Sequence, residues 1–338
     1  MRKVAFFNVD EKKQAVLSRE FAGEKSFELR FNQKSLDKHT ACTAKEARGI
    51  GIFSQSKITK EVLAHLPMVK VIATMSTGVD HIELSICKAR NITVSNAPSY
   101  GYSTVAEYAF GLILALARKF KSTLDRSERG IFSRTGLIGI DIKGKTLGLI
   151  GTGRIGSHMA RLGWAFGMKI IAYDVRSDVA LKEKYGVQFM NLEDVLEQAD
   201  VISLHLPYLP STHHLINAER LRLLKPTALL INTSRGKLID TKAVAKALRE
   251  DRLGGIALDT FEGEDIWIEE EFLKHDDLPA IALREAMESF SIMRSERAIL
   301  TPHNAFNTRE ALERLLITGA ENIKAFFSDN PQNVVNIS

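Results

Sequence analysis

The chain has 338 residues, 45% of them hydrophobic and 26% charged, with a formal net charge of +5. Those proportions exclude a disordered or coiled-coil chain, and the length favours two domains over one. Lysines and arginines are scattered among acids rather than gathered into a run, so the excess implies no nucleic-acid partner; it suits solubility and a mild attraction for anionic substrates.

The opening Met1-Arg-Lys-Val-Ala-Phe-Phe-Asn-Val-Asp10 has an apolar stretch too short for a signal peptide and broken by Asn8 and Asp10, so it is a first strand. Residues 4–9, 27–31, 51–53, 69–73 and 92–94 form a first series of short, apolar, β-branched or aromatic strands separated by helical stretches or loops. A long helix is predicted over 103–120, with Thr104 and Glu107 at capping-box spacing. A second strand series follows at 146–150, 169–173, 187–190, 201–206, 228–232, 255–258 and 298–300. A second long helix is predicted over 308–327, with Asn307 and Glu310 at the same spacing, and residues 333–337 return as a last strand. Near-continuous apolar strands with helical crossovers imply parallel sheets buried on both faces, and two series imply two doubly wound α/β domains bridged by the two long helices.

The most apolar later stretch, residues 109–117, is far below a membrane span, so a soluble cytoplasmic protein without membrane contact is expected. Cys42 and Cys87 have no metal-ligand spacing. Two thiols suit a reducing compartment, and both are expected to be small buried side chains. No metal site is expected.

The sharpest motif is Gly151-Thr-Gly153-Arg-Ile-Gly156, which follows the strand at 146–150 and opens a helix-compatible run. In that context Gly151 permits a tight turn, Gly153 lets backbone approach a pyrophosphate, and Gly156 lets the helix pack on the sheet. The helix N-terminus offers unpaired N–H groups to phosphates. Asp174 closes the next strand, where a carboxylate holds the adenosine ribose hydroxyls and repels a 2′-phosphate, so NAD is expected over NADP. Arg176 could pair with such a phosphate but is read as a solvated surface residue.

Further motifs occur in a fixed order: Met75-Ser-Thr-Gly-Val-Asp-His81, Asn96-Ala-Pro-Ser-Tyr100, Val105-Ala-Glu107, the glycine motif, Asp200-Val-Ile-Ser-Leu-His-Leu-Pro207, Asn232-Thr-Ser-Arg-Gly236, Ala257-Leu-Asp259 with Glu262-Gly-Glu264, and Thr301-Pro-His303. With them the chain resembles the D-isomer-specific 2-hydroxyacid dehydrogenases along nearly its whole length, and most of all their D-lactate dehydrogenase branch. The resemblance implies two Rossmann-like doubly wound parallel-sheet domains with an active-site cleft between them. A discontinuous substrate-binding domain would comprise 1–102 and 304–338, and an NAD-binding domain 103–303. It also implies a homodimer formed through the cofactor domain.

The resemblance assigns Arg235 to the substrate carboxylate, His303 to acid/base work and Glu264 to the histidine. The chemistry is apt. A guanidinium grips a carboxylate through two parallel hydrogen bonds, imidazole titrates near neutrality, and a carboxylate beside it favours imidazolium. Taken singly, His303 would be a satisfied core or loop histidine and Glu264 a solvated acid. The resemblance also places Arg154 and Ile155 on the pyrophosphate turn. His205, Leu206, Pro207, Thr212, Thr233 and Ser234 would lie near the cofactor, and Asp259 would face the nicotinamide carboxamide. The Gly78 and Val79 backbone would bind the substrate carboxylate, and Tyr100 would line the cleft. Phe53 and Phe306 would bound the substrate side chain, which suggests a small or moderate apolar group such as that of pyruvate.

The expected activity is therefore reduction of pyruvate to D-lactate with NADH. Alternatives are a bulkier 2-keto acid such as phenylpyruvate or 2-ketoisocaproate, and a non-catalytic NAD(H)-sensing binding protein. The latter needs a peptide groove and extra tails, and the short stretch after the last helix is read against it. Phosphoglycerate, glyoxylate and formate oxidation are further rivals; Glu264 in place of glutamine argues against formate. The 38 residues between Glu264 and His303 include a stretch, 276–297, read as a surface helix, with a lid or dimer contact as the sharper alternative.

Overall fold

The computed structural model describes residues 1–264 and 280–335, with backbone alone for 280–286. The chain divides into two compact units, Met1–Gly101 with Asn307–Ser338, and Tyr102–Phe306. Their boundaries fall one and three residues from the positions expected above.

In the first unit β1 (Arg2–Phe6), α1 (Glu11–Glu20), β2 (Phe27–Phe31), β3 (Gly49–Ile52), α2 (Lys60–Ala64), β4 (Val71–Thr74), α3 (Leu84–Ala89) and β5 (Thr93–Ser95) build a sheet of order β2-β1-β3-β4-β5. Every pairing is parallel. All four residues of β3 and of β4 are buried, as their unbroken apolar runs demand of strands covered on both faces. Ile50, Ile52 and Ile72 are at most 1% exposed, each stabilising the unit by roughly 1.5–3 kcal/mol. β1 ends at Phe6, short of the expected Val9, because Asn8 turns the chain into the left-handed region at φ 59°.

The second unit begins with α4 (Tyr102–Ala117) and α5 (Phe120–Glu128). The helix expected over 103–120 is α4, ending three residues early; Lys119, left-handed at φ 54°, separates it from α5, an element not expected from the sequence. Thr104 lies inside α4 rather than at its cap. There follow β6 (Thr146–Ile150), α6 (Arg154–Ala165), β7 (Lys169–Tyr173), α7 (Val179–Tyr185), β8 (Gln188–Phe189), α8 (Leu192–Gln198), β9 (Val201–Leu204), α9 (Ala218–Leu221), β10 (Leu229–Asn232), α10 (Thr241–Arg249), β11 (Gly255–Leu258), α11 (Ala280–Met293) and β12 (Ala298–Leu300). The sheet order is β12-β11-β10-β9-β6-β7-β8, again parallel throughout. Its order reverses between β6 and β9, and in such sheets ligands bind outside the carboxyl ends of the strands at that reversal. α11 covers part of the stretch at 276–297; its Ile292 is buried in the sheet's core cluster, and residues 276–279 lie outside the described ones.

The chain then returns to the first unit through α12 (Arg309–Phe327). Thr308, not Asn307, caps it, accepting the Ala311 N–H at 3.1 Å. This helix packs on α1, β3 and β4, so it belongs to the first unit. The final strand reduces to one antiparallel bridge, Ser95 with Val334, and residues 336–338 lie outside the described ones. Cys87 is buried, but Cys42 is exposed, contrary to expectation, with Sγ 3.3 Å from the His39 carbonyl. Among the described residues no helix is long and apolar enough to cross a membrane.

Candidate active site

β6 runs into the glycine turn at the point of reversal. Gly151 holds φ 95°, and a Cβ there would lie 2.6 Å from the His205 carbonyl oxygen. A Cβ on Gly156 would lie 2.1 Å from the Gly151 oxygen, so α6 can start against the turn only with glycine at that position. Gly153, the residue that caps α6, faces open space and has no side chain to occupy the helix N–H groups. Arg154 is exposed, with its guanidinium 5.3 Å from the Tyr102 ring centroid, and Ile155 packs on the core.

Asp174, directly after β7, folds back onto this turn. Its Oδ2 accepts the Thr152 N–H at 2.6 Å and the Thr152 hydroxyl at 3.0 Å, and its Oδ1 accepts the Arg176 N–H at 3.1 Å. Burial pushes the Asp174 carboxyl up, but these hydrogen bonds outweigh it and hold the group below the usual carboxylate range.

After β9, His205 Nε2 lies at hydrogen-bonding distance, 2.9 Å, from Ser203 Oγ while its Nδ1 is buried. Burial pushes this imidazole down to about 3, so it is neutral. Leu206 packs on the core and Pro207 is exposed. The Thr212 hydroxyl closes the loop on the Pro207 and Leu209 carbonyls at 3.0 and 3.1 Å. After β10, fully buried Asn232 accepts the Ser234 N–H at 3.0 Å and donates to the Arg235 carbonyl at 2.9 Å. Ser234 donates to the Leu204 carbonyl at 2.7 Å, so its hydroxyl joins this loop to β9. The half-buried Arg235 donates through Nη1 to the Ser234 carbonyl at 2.7 Å.

After β11 and β12, fully buried Asp259 organises the end of the sheet. Its carboxylate accepts the Thr301 hydroxyl at 2.6 Å and the Asn304 and Ala305 N–H groups at 2.8 and 2.9 Å. The group expected against a nicotinamide carboxamide thus makes three bonds inside the protein. They flank His303, whose own N–H reaches the Asp259 carbonyl at 3.0 Å and whose backbone is left-handed at φ 50°. Glu264 Oε1 lies 3.4 Å from His303 Nδ1, and Glu264 Oε2 accepts the Phe261 N–H at 3.3 Å. Burial pushes the His303 imidazole down, but Glu264 and the more distant Asp259 charge outweigh it and the opposing Arg235 charge, so its pKa is raised. Phe306 meets the His303 ring edge to face at 6.2 Å. Arg235, Glu264 and His303 therefore follow β10, β11 and β12, three neighbouring strands, at one edge of one sheet.

In the first unit, Phe53, Gly78, Val79 and Tyr100 follow β3, β4 and β5 at the carboxyl edge of that sheet. Phe53 is 7% exposed and shares an apolar cluster with Tyr100. The Lys13 ammonium stands 5.1 Å from the Phe53 ring centroid. The Gly78 carbonyl accepts the Ser76 hydroxyl at 2.7 Å, and Ser76 continues to Thr74 at 2.8 Å and Thr74 to His81 Nε2 at 2.9 Å.

Residues 110–305 match the family of the D-isomer specific 2-hydroxyacid dehydrogenase, NAD binding domain. A 2-hydroxyacid dehydrogenase homolog of Zymomonas mobilis is 39% identical over 292 residues, 85% of this chain and 86% of its own. The chain belongs to this dehydrogenase family. A glyoxylate reductase of Aeropyrum pernix is 35% identical over 301 residues, 87% of this chain and 84% of its own. The D-lactate dehydrogenase of Aquifex aeolicus, solved with NAD and lactic acid, superposes with a TM-score of 0.86 at 36% identity, covering 97% of this chain and 96% of its own. Members of the family are NAD-dependent oxidoreductases acting on 2-hydroxy acids, and this dehydrogenase is one of them.

The dehydrogenase's own residues fit the dinucleotide. The turn at Gly151–Gly156 admits no side chain at its inner positions and leaves its outer face open. Among the described residues, His205 Nδ1, Thr233 Oγ1 and Thr260 Oγ1 are buried polar atoms without a hydrogen-bond partner, and they follow β9, β10 and β11 in a row. His205 sits against the glycine turn at the sheet's reversal, and unmet hydrogen-bonding capacity there and after the next two strands is the chemistry a polar cofactor requires.

Sequence reasoning missed three contributors. Asn232 shapes the Arg235 loop; its signal was a polar residue ending an apolar strand. Gly236 permits close packing, since a Cβ there would lie 2.3 Å from the Phe261 carbonyl carbon. Glu262 pairs with His214 at 2.7 Å, a contact between residues 48 positions apart that no local pattern announces.

Proposed function

We propose that this dehydrogenase reduces a 2-keto acid with a small or moderate apolar side chain, pyruvate first, to the D-2-hydroxy acid. The observation that carries the reading is the Glu264–His303 contact of 3.4 Å beside the Arg235 loop. Arg235 holds the substrate carboxylate through paired N–H groups; within the first unit, the Gly78 and Val79 N–H groups are further donors suited to a carboxylate. Because His303 Nδ1 faces Glu264, Nε2 is the ring nitrogen that gives its proton to the ketone oxygen. The nicotinamide cofactor, when bound, would supply the hydride that the carbonyl carbon takes up. One proton and one hydride convert the ketone to the alcohol, and His303 is left neutral until solvent reprotonates it. Residues 102–306 would hold the cofactor, with Asp174 at the adenosine ribose, and residues 1–101 with 307–338 are the substrate domain, in which Phe53 and Tyr100 share one apolar cluster.

The likeness to a D-lactate dehydrogenase over 97% of the chain supports pyruvate, as does Phe306 against the His303 ring. Similarity to a glyoxylate reductase favours glyoxylate as the second substrate to try. The test is a panel of pyruvate, glyoxylate, phenylpyruvate and 2-ketoisocaproate with NADH, with chiral analysis of the product. D-lactate formed with the highest kcat/KM supports the reading; an L product, or no turnover of any 2-keto acid, overturns it. H303Q must lose reduction while still binding NADH.

A homodimer completes the proposal. Residues 118–140 lie against the end of α4, with Lys119 Nζ donating to the Gly136 carbonyl at 2.8 Å and Ile140 N–H to the Ala117 carbonyl at 2.8 Å. They leave Phe120, Leu124, Ile131, Phe132 and Ile138 about half or more exposed, a concentration of apolar surface that suits a second copy of the chain.

A further inference from the structure

Two residues before Glu264, the Glu262 side chain is 9% exposed and both of its carboxylate oxygens are engaged. Oε1 lies 2.7 Å from His214 Nε2, and Oε2 accepts the N–H of Thr241, the first residue of α10, at 3.2 Å. The Glu262 carbonyl accepts the buried Ser289 hydroxyl of α11 at 3.0 Å. His214 is itself fixed: its backbone is left-handed at φ 46°, its N–H donates to the Lys237 carbonyl at 2.9 Å, and its ring stacks on His213 with centroids 4.0 Å apart. A non-glycine residue keeps such a backbone only where its surroundings hold it.

The clamp closes on the turn that aims Glu264. Glu264 N–H donates to the Phe261 carbonyl at 3.2 Å, and Glu264 Oε2 accepts the Phe261 N–H, so the direction in which Oε1 faces His303 depends on the shape of residues 261–264. The other arm of the clamp, His214, closes the segment that begins at His205 after β9. A buried carboxylate with both oxygens bonded, joining two loops at one sheet edge, fixes geometry more than it adds stability.

We propose that Glu262 and His214 are positioning residues for the Glu264–His303 pair, holding the 261–264 turn so that Glu264 stays on the histidine. The proposal rests on His303 being the proton donor. Neither residue touches the reacting atoms; both act through Glu264.

The test compares wild type, E262Q, H214A and H214Q of the full chain, measuring kcat, KM for pyruvate, NADH affinity by fluorescence titration, and the pH profile of reduction. The charged groups acting on His303 are Glu264, Asp259 and Arg235, and all three are unchanged in these variants. With the clamp broken, E262Q and H214A lose about tenfold or more in kcat, since a misplaced partner group disrupts alignment. They keep NADH affinity within about twofold, and the alkaline limb of the profile moves to lower pH by about half a unit or more as Glu264 loses its hold on the imidazolium. H214Q, whose amide can still donate to Glu262, recovers most of the H214A loss. If E262Q does not fold, H214A carries the test, because it leaves the Glu262 charge and its Thr241 partner in place. A wild-type kcat and pH limb in E262Q or H214A overturns the proposal. H303Q measured alongside separates the two ideas: full activity there sinks the proton-donor reading itself, whereas an inactive H303Q with unaltered clamp variants sinks only the clamp.

Discussion

The Asp259 carbonyl accepts the His303 N–H at 3.0 Å, and the Asp259 carboxylate bonds on both sides of that histidine, to Thr301 and to Asn304 and Ala305. One buried residue therefore shapes the whole bend that turns His303 into the left-handed region. D259A leaves a hydroxyl and two N–H groups without acceptors in the interior, which destabilises by at least about 2 kcal/mol. D259N retains one acceptor oxygen and loses less. Urea melts should rank wild type, D259N and D259A in falling order, with kcat following. A D259A midpoint equal to wild type would show that the bend is held by other contacts.

The raised pKa of His303 fixes the sign of the pH dependence. The proposed reduction uses the His303 imidazolium, which is present below the folded pKa, so kcat/KM for pyruvate should fall as pH rises through a value above the ordinary 6.5. Oxidation of the hydroxy acid uses neutral imidazole and rises over the same interval. The raised pKa also gives the folded state stability that is full below the unfolded value and lost as pH rises through the folded one. E264Q removes the main raising partner and leaves burial and Arg235 opposed only by Asp259, so its alkaline limb moves to lower pH. A reduction rate that climbs from pH 6 to pH 9 contradicts this assignment.

Both sheets were legible in the sequence because parallel strands buried on two faces leave unbroken apolar runs, as in Val201–Leu204 and Leu229–Asn232. The glycine turn was legible for a related reason: at Gly151 and Gly156 a Cβ collides with backbone, so the sequence must carry glycine there. Helix ends were less legible. Asn307 and Thr308 are both competent caps, and which one acts depends on the exit from the preceding loop. The break at Lys119 has no breaker residue of its own; it coincides with the Ile140 N–H bonding to the Ala117 carbonyl, a partner 23 positions away. At the site, Arg235, Glu264 and His303 were nameable only from ordered motifs, because their meeting is produced by strand order β10-β11-β12 and not by spacing along the chain.

Asp174 predicts the choice of cofactor. Its carboxylate is ionised and held within the turn by Thr152, so a 2′-phosphate brought to it meets a fixed negative charge. NADH should exceed NADPH in kcat/KM by about tenfold or more. D174A should not simply reverse the preference, because it also releases the Thr152 N–H and hydroxyl; NADH affinity should fall while NADPH gains little. Equal use of the two cofactors by wild type would remove Asp174 as the discriminator.

The apolar surface at 118–140 predicts self-association. Light scattering should give twice the chain mass at micromolar concentration. F132D, at a residue 82% exposed, should shift the protein toward monomer without lowering its melting point when dilute. A monomeric wild type would leave that surface in need of another occupant.

Gly236 supplies the sharpest steric prediction. A Cβ there would meet the Phe261 carbonyl carbon at 2.3 Å, the Phe261 oxygen at 2.6 Å and the Glu262 nitrogen at 2.7 Å. All three are backbone atoms, so no side-chain rotation relieves the clash, and G236A must separate the Arg235 loop from the 261–264 turn. That separation costs about 1–3 kcal/mol of stability. It also pulls apart Arg235 and Glu264, so under the proposed roles KM for pyruvate should rise and kcat fall together, with NADH affinity less affected. Gly111, an exposed glycine inside α4 with nothing within 4 Å of its Cβ position, is the control. G111A should be neutral or slightly stabilising, since alanine is the better helix former. If G236A behaves like G111A, the two loops are not held in contact at this glycine, and the packing that brings Arg235 and Glu264 to one edge must be sought elsewhere.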